Sequence, residues 1–176
     1  IASDAQADPG SQPGCGYMLF DARDGRRAAA CCPLAEELLD AWGYGTAVRQ
    51  EGGNPIAICE AAVIAAAALA EAPTLAGRTI VWFVDNTTAL HAFVKGTSAN
   101  EAVERAAQCV HFLSLKYDFR IWFEFIDSGA NWSDGISREL HDDQFAKDHG
   151  FRVSTLAVPL QLWSCDLVSL WAGLAA

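Results

Sequence analysis

Apolar residues fall along this chain in short runs first, then in one long run, then in alternating stretches. Residues 15–20 (CGYMLF) and 28–32 (AAACC) are short runs on either side of Asp24-Gly25, a pairing that predicts an antiparallel hairpin turning at that dipeptide. Before them, residues 1–4 read as the end of a strand and ADPGSQPG as a loop rich in glycine and proline. Residues 34–42 predict a short helix and TAVRQEGGN a polar loop, with Asn54-Pro55 starting the next helix. That helix, IAICEAAVIAAAALAE over 56–71, carries small residues that allow close approach to a sheet; Ala72-Pro73 is expected to end it. TIVWFV, residues 79–84, is apolar throughout, as in a central strand covered on both faces.

TTALHAFVKG follows as a short helix closed by Gly96, and NEAVERAAQCVHFLSLKY as a longer amphipathic one. In the latter, Val103, Ala106, Ala107 and Val110 share one side with Leu113 or Ser114. FRIWFEFID (119–127) predicts a further strand, and Asn131 or Ser133 caps the helix after it. FRVSTLAVP reads as extended, and LQLWSCDLVSLWAGL (160–174) as an apolar carboxyl-terminal helix. The order is three strands, helix, strand, helices, strand, helix.

With 176 residues, 52% hydrophobic and 19% charged, the chain has material for one sizeable core. Residues 1–150 are assigned to one domain and 151–176 to an extension packing on it. The longest unbroken apolar run, 61–70, falls short of the roughly 18 residues of a membrane span, so no membrane segment is expected. The first ten residues lack the basic start and apolar block of a signal peptide, and they open on a strand. A domain cut from a longer polypeptide is expected. Six cysteines show no CxxC spacing and, with four histidines, no zinc pattern; reduced, buried thiols in an intracellular protein are expected. Net charge is −10, with three lysines and nine arginines, which disfavours tight non-specific nucleic-acid binding but suits hard divalent cations.

Four acids stand out against this map. Asp4 ends the first strand, with Asp8 close behind it; Glu60 interrupts the most apolar helix; Asp85 follows TIVWFV; Asp134 begins the helix after the fifth strand. Asp85 can be a turn or capping residue, and Asp134 can favour the positive end of its helix. Glu60 is harder to explain away, because a buried unpaired carboxylate costs several kcal/mol and calls for an exposed edge or a cation (about that size in proteins).

Taken together, ASDA near the start, CEAAVIAAAALA, WFVDNTTALHAFVKGTS and ANWSDGISRE resemble the ribonuclease H domain of retroelement reverse transcriptase polyproteins, over roughly residues 1–140. The resemblance implies an α/β fold: a five-stranded mixed sheet, its first three strands antiparallel, with helices on both faces. It implies a catalytic carboxylate set of Asp4, Glu60, Asp85 and Asp134 holding two Mg²⁺ ions, with Mn²⁺ as a substitute. It also implies an RNA/DNA hybrid as substrate, cut in its RNA strand to leave 5′-phosphate and 3′-hydroxyl ends, and adjacent reverse transcriptase domains as partners. Asn86, Asn131 and Arg138 are the candidate substrate contacts.

Two departures from the family pattern stand beside this. The segment EFIDSGANWSD holds no histidine before the last carboxylate, and His141 comes after it. A basic, aromatic-rich substrate handle is also missing. Exonucleases of the same fold use D-x-E on the first strand, where this chain has Asp4-Ala5-Gln6, and integrases have no need of Glu60. The competing reading is a catalytically silent domain of the same fold, acting as a spacer or protein-interaction module.

Overall fold

The computed structural model describes residues 1–8, 11–164, 168–169 and 172–173. The strands are β1 (Ala2–Gln6), β2 (Gly14–Phe20), β3 (Arg27–Pro33), β4 (Thr79–Val84), β5 (Arg120–Phe125) and β6 (Arg152–Thr155). The helices are α1 (Glu36–Ala41), α2 (Thr46–Gln50), α3 (Ile56–Leu75), α4 (Thr87–Lys95), α5 (Glu101–Tyr117), α6 (Asp134–Arg138), α7 (Gln144–Asp148) and α8 (Gln161–Ser164). They form one six-stranded mixed sheet in the order β5-β4-β1-β2-β3-β6. As expected, β1, β2 and β3 are antiparallel neighbours, with Gly25 at φ 72° in the turn between β2 and β3. β4 runs parallel to β1 and β5 parallel to β4.

The sixth strand corrects the expected count of five. FRVST is extended as the sequence suggests, and it pairs parallel with β3 from Ala28↔Arg152 to Cys31↔Thr155, satisfying an edge that would otherwise expose unpaired backbone groups. Helix α2 forms where a polar loop is expected, held by the Arg49 ion pair with Glu36 and by Arg49 donating to the Tyr44 carbonyl. Helix α3 runs past Pro73 to Leu75: a proline in the last turn forfeits only its own amide bond, and the buried Leu75 holds the end in the core. Of the expected carboxyl-terminal helix, Leu160 lies in a turn and 161–164, 168–169 and 172–173 are helical; the rest, Cys165 among it, lies outside the described residues.

One face of the sheet carries most of the core. Ala62, Ala65, Ala67 and Ala68 are fully buried in α3, and their short side chains let the helix lie against both the sheet and α5. By length and composition α3 is apolar enough to cross a membrane, with mean hydropathy 1.8, but 72% of that window is buried inside the protein. It is a core helix. Ile80, Trp82 and Val84 point to this side, and the Trp82 indole N–H reaches the Ser3 hydroxyl at 3.0 Å, so the largest core side chain leaves no orphaned donor. Buried Glu71 is satisfied in the same layer by the Tyr17 hydroxyl at 2.8 Å, by the Thr74 hydroxyl and by Arg26 Nη2, which donates to both carboxylate oxygens at 3.1 and 3.0 Å. The five described cysteines are buried, and no disulfide joins any two of them.

The opposite face is covered only in part. Ile136 of α6 packs with Met18, Ala29, Cys31 and Ala146 over β2 and β3. Over β4 and β5 the sheet is open: Val81 is 45% and Trp122 64% exposed, so TIVWFV is covered on one face and not on both. The dense side therefore holds the fold, and the open side presents its groups to solvent.

Helix α6 approaches β2 closely because two strand positions lack a side chain. A Cβ at Gly14 would stand 2.5 Å from the Ser137 carbonyl oxygen, and one at Gly16 would stand 2.7 Å from Ile136. Backbone cannot yield as a side-chain tip can. Gly14→Ala is therefore expected to destabilise the protein by about 1–3 kcal/mol through overpacking, while Gly25→Ala meets no atom within 4 Å and costs only the about 1–2 kcal/mol of an L residue at positive φ. Urea unfolding of the two variants checks this; equal stability of Gly14→Ala and the parent would mean that α6 is not pinned to β2.

Candidate active site

β1 outruns its neighbour. Its amino end is paired with β4, the Ile1 nitrogen donating to the Val81 carbonyl and the Phe83 N–H to the Ile1 carbonyl. β4 then stops at Val84 while β1 continues to Gln6. Odd-numbered residues of β1 direct their backbone groups toward β4, so beyond that point Ser3 C=O and Ala5 N–H need other partners. Asn131 supplies one, its side-chain amide donating to the Ser3 carbonyl at 3.2 Å. Glu60 supplies the other, its Oε1 accepting from the Ala5 N–H at 2.9 Å. The crevice at the carboxyl ends of two adjacent strands is where open α/β sheets place their sites, and here it is lined by acids.

Asp4, Glu60 and Asp85 converge in it, one carboxylate oxygen of each lying within 4.8 Å of the other two. Asp4 is held by α6, accepting from the Ser137 hydroxyl, and its other oxygen lies 3.5 Å from the Asn131 amide. Glu60 is 2% exposed, and its Oε2 has no hydrogen-bond partner among the described residues. Asp85 is half-buried directly after β4. It is Asn86, not Asp85, that caps α4, its side-chain oxygen accepting from Ala89 N–H at 3.0 Å. The carboxylate of Asp85 is thereby left for other work.

Burial is the main cause of perturbed protonation here. It pushes the Asp4 carboxyl up to about 7, opposed by the Ser137 bond and reinforced by the charges of Asp85 and Asp134. Burial, then the nearby charges of Asp4 and Asp85, holds Glu60 well above the usual carboxylate range. Ser137 has one hydroxyl proton and lies near both Asp4 and the Asp134 carbonyl, 2.9 Å away. Either it donates to ionised Asp4, or protonated Asp4 donates to it and its own proton goes to the carbonyl.

Asp134 stands outside this trio. It opens α6 with its side chain 43% exposed, and its Oδ1 accepts from Arg138 Nε at 2.9 Å. Arg138 also reaches Asp8 at 2.8 Å, so one guanidinium joins two rim acids through exposed pairs worth about 0–1 kcal/mol each. Asn131 and Asn86 use side-chain atoms to hold backbone, Asn131 Oδ1 also accepting from Ser133 N–H and hydroxyl. Ser137 is the residue that sequence reasoning passes over. Its signal is its place one helical turn after Asp134. The aromatic Trp132, next to Asn131 in the chain, packs edge-on to Phe83 at 5.7 Å between centroids, with 38% exposure.

Without a cation the trio is a destabilising feature whose sign can be worked out. A carboxyl whose folded pKa lies above its unfolded value, about 3.9 for Asp, costs stability as pH rises between the two and costs nothing below both. In EDTA, Glu60→Gln is therefore expected to melt above the parent at pH 8, with the difference closing toward pH 5, and to gain less than the parent when Mg²⁺ is added. Thermal melts at both pH values check this; a large loss of stability at pH 8 would mark Glu60 as a partner in a structural ion pair.

No family model matches the chain, and no curated protein does. Among solved structures, RNase H1 from the halophilic archaeon Halobacterium salinarum NRC-1 superposes with a TM-score of 0.50 at 12% sequence identity, covering 74% of this chain and 86% of that one. At that identity the likeness establishes the fold: a mixed α/β sheet of the ribonuclease H type, with its first strands antiparallel.

Proposed function

We propose that the chain is a metal-dependent endonuclease that hydrolyses the RNA strand of RNA/DNA hybrids, leaving 5′-phosphate and 3′-hydroxyl ends, within a reverse transcriptase polyprotein. One observation carries this reading: a buried carboxylate oxygen, Glu60 Oε2, has no hydrogen-bond partner among the described residues, and Glu60 converges with two further acids in the β1–β4 crevice. An all-oxygen donor set of like charge suits Mg²⁺ or Mn²⁺. Asp4, Glu60 and Asp85 would hold the ion, and Asp134, on the rim, would contribute to a second by exchanging its bond with Arg138. When bound, a pair of such ions supplies a hydroxide-like nucleophile and stabilises the leaving 3′ oxygen of an in-line displacement.

The remaining residues position these ligands. The apolar strand β4 fixes Asp85 at its end, Ser137 sets the Asp4 oxygens, and the Ala5 N–H sets one oxygen of Glu60. Arg138, whose charge acts on Asp4, is the cation that would meet a backbone phosphate once released from Asp134. A hybrid presents 2′-hydroxyls on one strand only, which gives a groove-facing site a means to tell the strands apart. With a net charge of −10, affinity for that polyanion is expected to come chiefly from neighbouring polypeptide. The second reading, a silent domain serving protein contacts, draws on the Arg138 bond that occupies Asp134.

Asp85→Asn keeps shape and removes charge. It is expected to lower hybrid cleavage by on the order of a thousandfold, several kcal/mol of transition-state charge stabilisation, with a melting temperature in EDTA no lower than the parent's, since it removes one of the repelling charges. Labelled hybrid, duplex DNA, duplex RNA and single strands offered side by side with Mg²⁺ or Mn²⁺ test the substrate, and cleavage is expected to fall steeply as salt rises. Preferential cutting of duplex DNA would overturn the hybrid as substrate, and no cutting of any of the four at high enzyme and low salt would replace this reading with the silent domain.

A further inference from the structure

The open edge of the sheet carries a self-complementary sequence. β5, RIWFEF, is an end strand of the six, and among the described residues no strand pairs with its outer side. Arg120 N–H bonds the Arg78 carbonyl and Ile126 N–H the Val84 carbonyl, so even-numbered residues turn their backbone groups inward to β4. By alternation, Ile121, Phe123 and Phe125 direct theirs outward. The side chains divide differently. Ile121 and Phe123 pack on the buried face, Phe123 against Trp82 and Phe93, while Arg120, Trp122 and Glu124 stand exposed on the other.

We propose that β5 is a homodimerisation edge, pairing antiparallel with β5 of a second copy about a two-fold axis at Trp122. This register satisfies three independent requirements. Ile121 of one copy falls opposite Phe123 of the other, and these are the residues whose N–H and C=O groups face outward, so they exchange backbone hydrogen bonds. Trp122 meets its own counterpart at a non-hydrogen-bonded position, where facing side chains come closest. Arg120 meets Glu124 of the other copy twice, once on each side of the axis, so the charge pattern reads the same in both directions, as an isologous contact requires. A one-residue slip would destroy all three. The pairing joins two six-stranded sheets into one with both open faces on the same side. It also covers a groove of 280 Å³ beside the edge, lined by Val94, His111, Ile121, Trp122 and Phe123. An exposed edge strand with an aromatic side chain at its centre, unpaired among the described residues, is a liability in a monomer; a matched second copy removes it.

Sedimentation of the chain over a range of concentrations tests the dimer, and charge reversal tests the register. The parent is expected to sediment at about twice the chain mass at high concentration. Arg120→Glu and Glu124→Arg, each alone, place like charges opposite one another and are expected to raise the dissociation constant at least about tenfold. Mixing these two variants restores both opposite-charge contacts and is expected to give a heterodimer of parental affinity, a recovery that misfolded variants could not show. A parent that stays monomeric at every concentration overturns the proposal and leaves the edge to a different partner. So does a dimer that both single variants retain, or one that mixing fails to restore.

Discussion

A single hydrogen bond organises the candidate site: the Ala5 N–H donated to Glu60 Oε1. Because β4 ends before β1 does, that amide would otherwise be a buried orphan, and an unmade hydrogen bond of this kind costs about 1–3 kcal/mol. Glu60 satisfies it from the most apolar helix in the protein. Placing a carboxylate there creates a second problem, since one bond leaves Oε2 without a partner beside Asp4 and Asp85. The fold closes the first gap by opening another, and a cation is the group that fits the second.

The surroundings follow from that arrangement. Alanines along α3 bring its backbone close enough for the short reach of Glu60 to span to β1, and glycines in β2 bring α6 close enough for Ser137 to hold Asp4 from the other side. Two helices on opposite faces thus grip one strand end. Stability resides in the helix-covered layer, where Trp82, Phe93 and Phe119 are fully buried; the open face and the β5 edge are left with exposed aromatic side chains.

Much of this was legible in the sequence because the relevant signals are local. The hairpin at Asp24-Gly25, the cap at Gly96 and the strand 79–84 each rest on a few adjacent residues. Asp85 at a strand end and Glu60 within an apolar helix were conspicuous for the same reason; the resemblance grouped them with Asp4 and Asp134, and of those four the structure brings Asp4, Glu60 and Asp85 together. What stayed hidden depends on distant parts of the chain. The pairing of β6 with β3 joins residues more than a hundred positions apart, and an extended run does not announce its neighbour. An all-apolar strand such as TIVWFV does not say whether one face or both will be covered. The bond of Arg138 to Asp134 follows helical spacing, but its reach to Asp8 does not, and Asp134 could not be separated from the trio by spacing alone.

The central claim is that the Asp4, Glu60 and Asp85 carboxylates are ligands. A crystal grown with Mn²⁺ and measured at the manganese absorption edge tests it directly. The account predicts an anomalous peak in the β1–β4 crevice, at roughly 2.1 Å from an oxygen of each of the three acids, Glu60 Oε2 among them. A crevice without a peak at saturating Mn²⁺, or a peak that leaves Glu60 Oε2 uncoordinated, would contradict it.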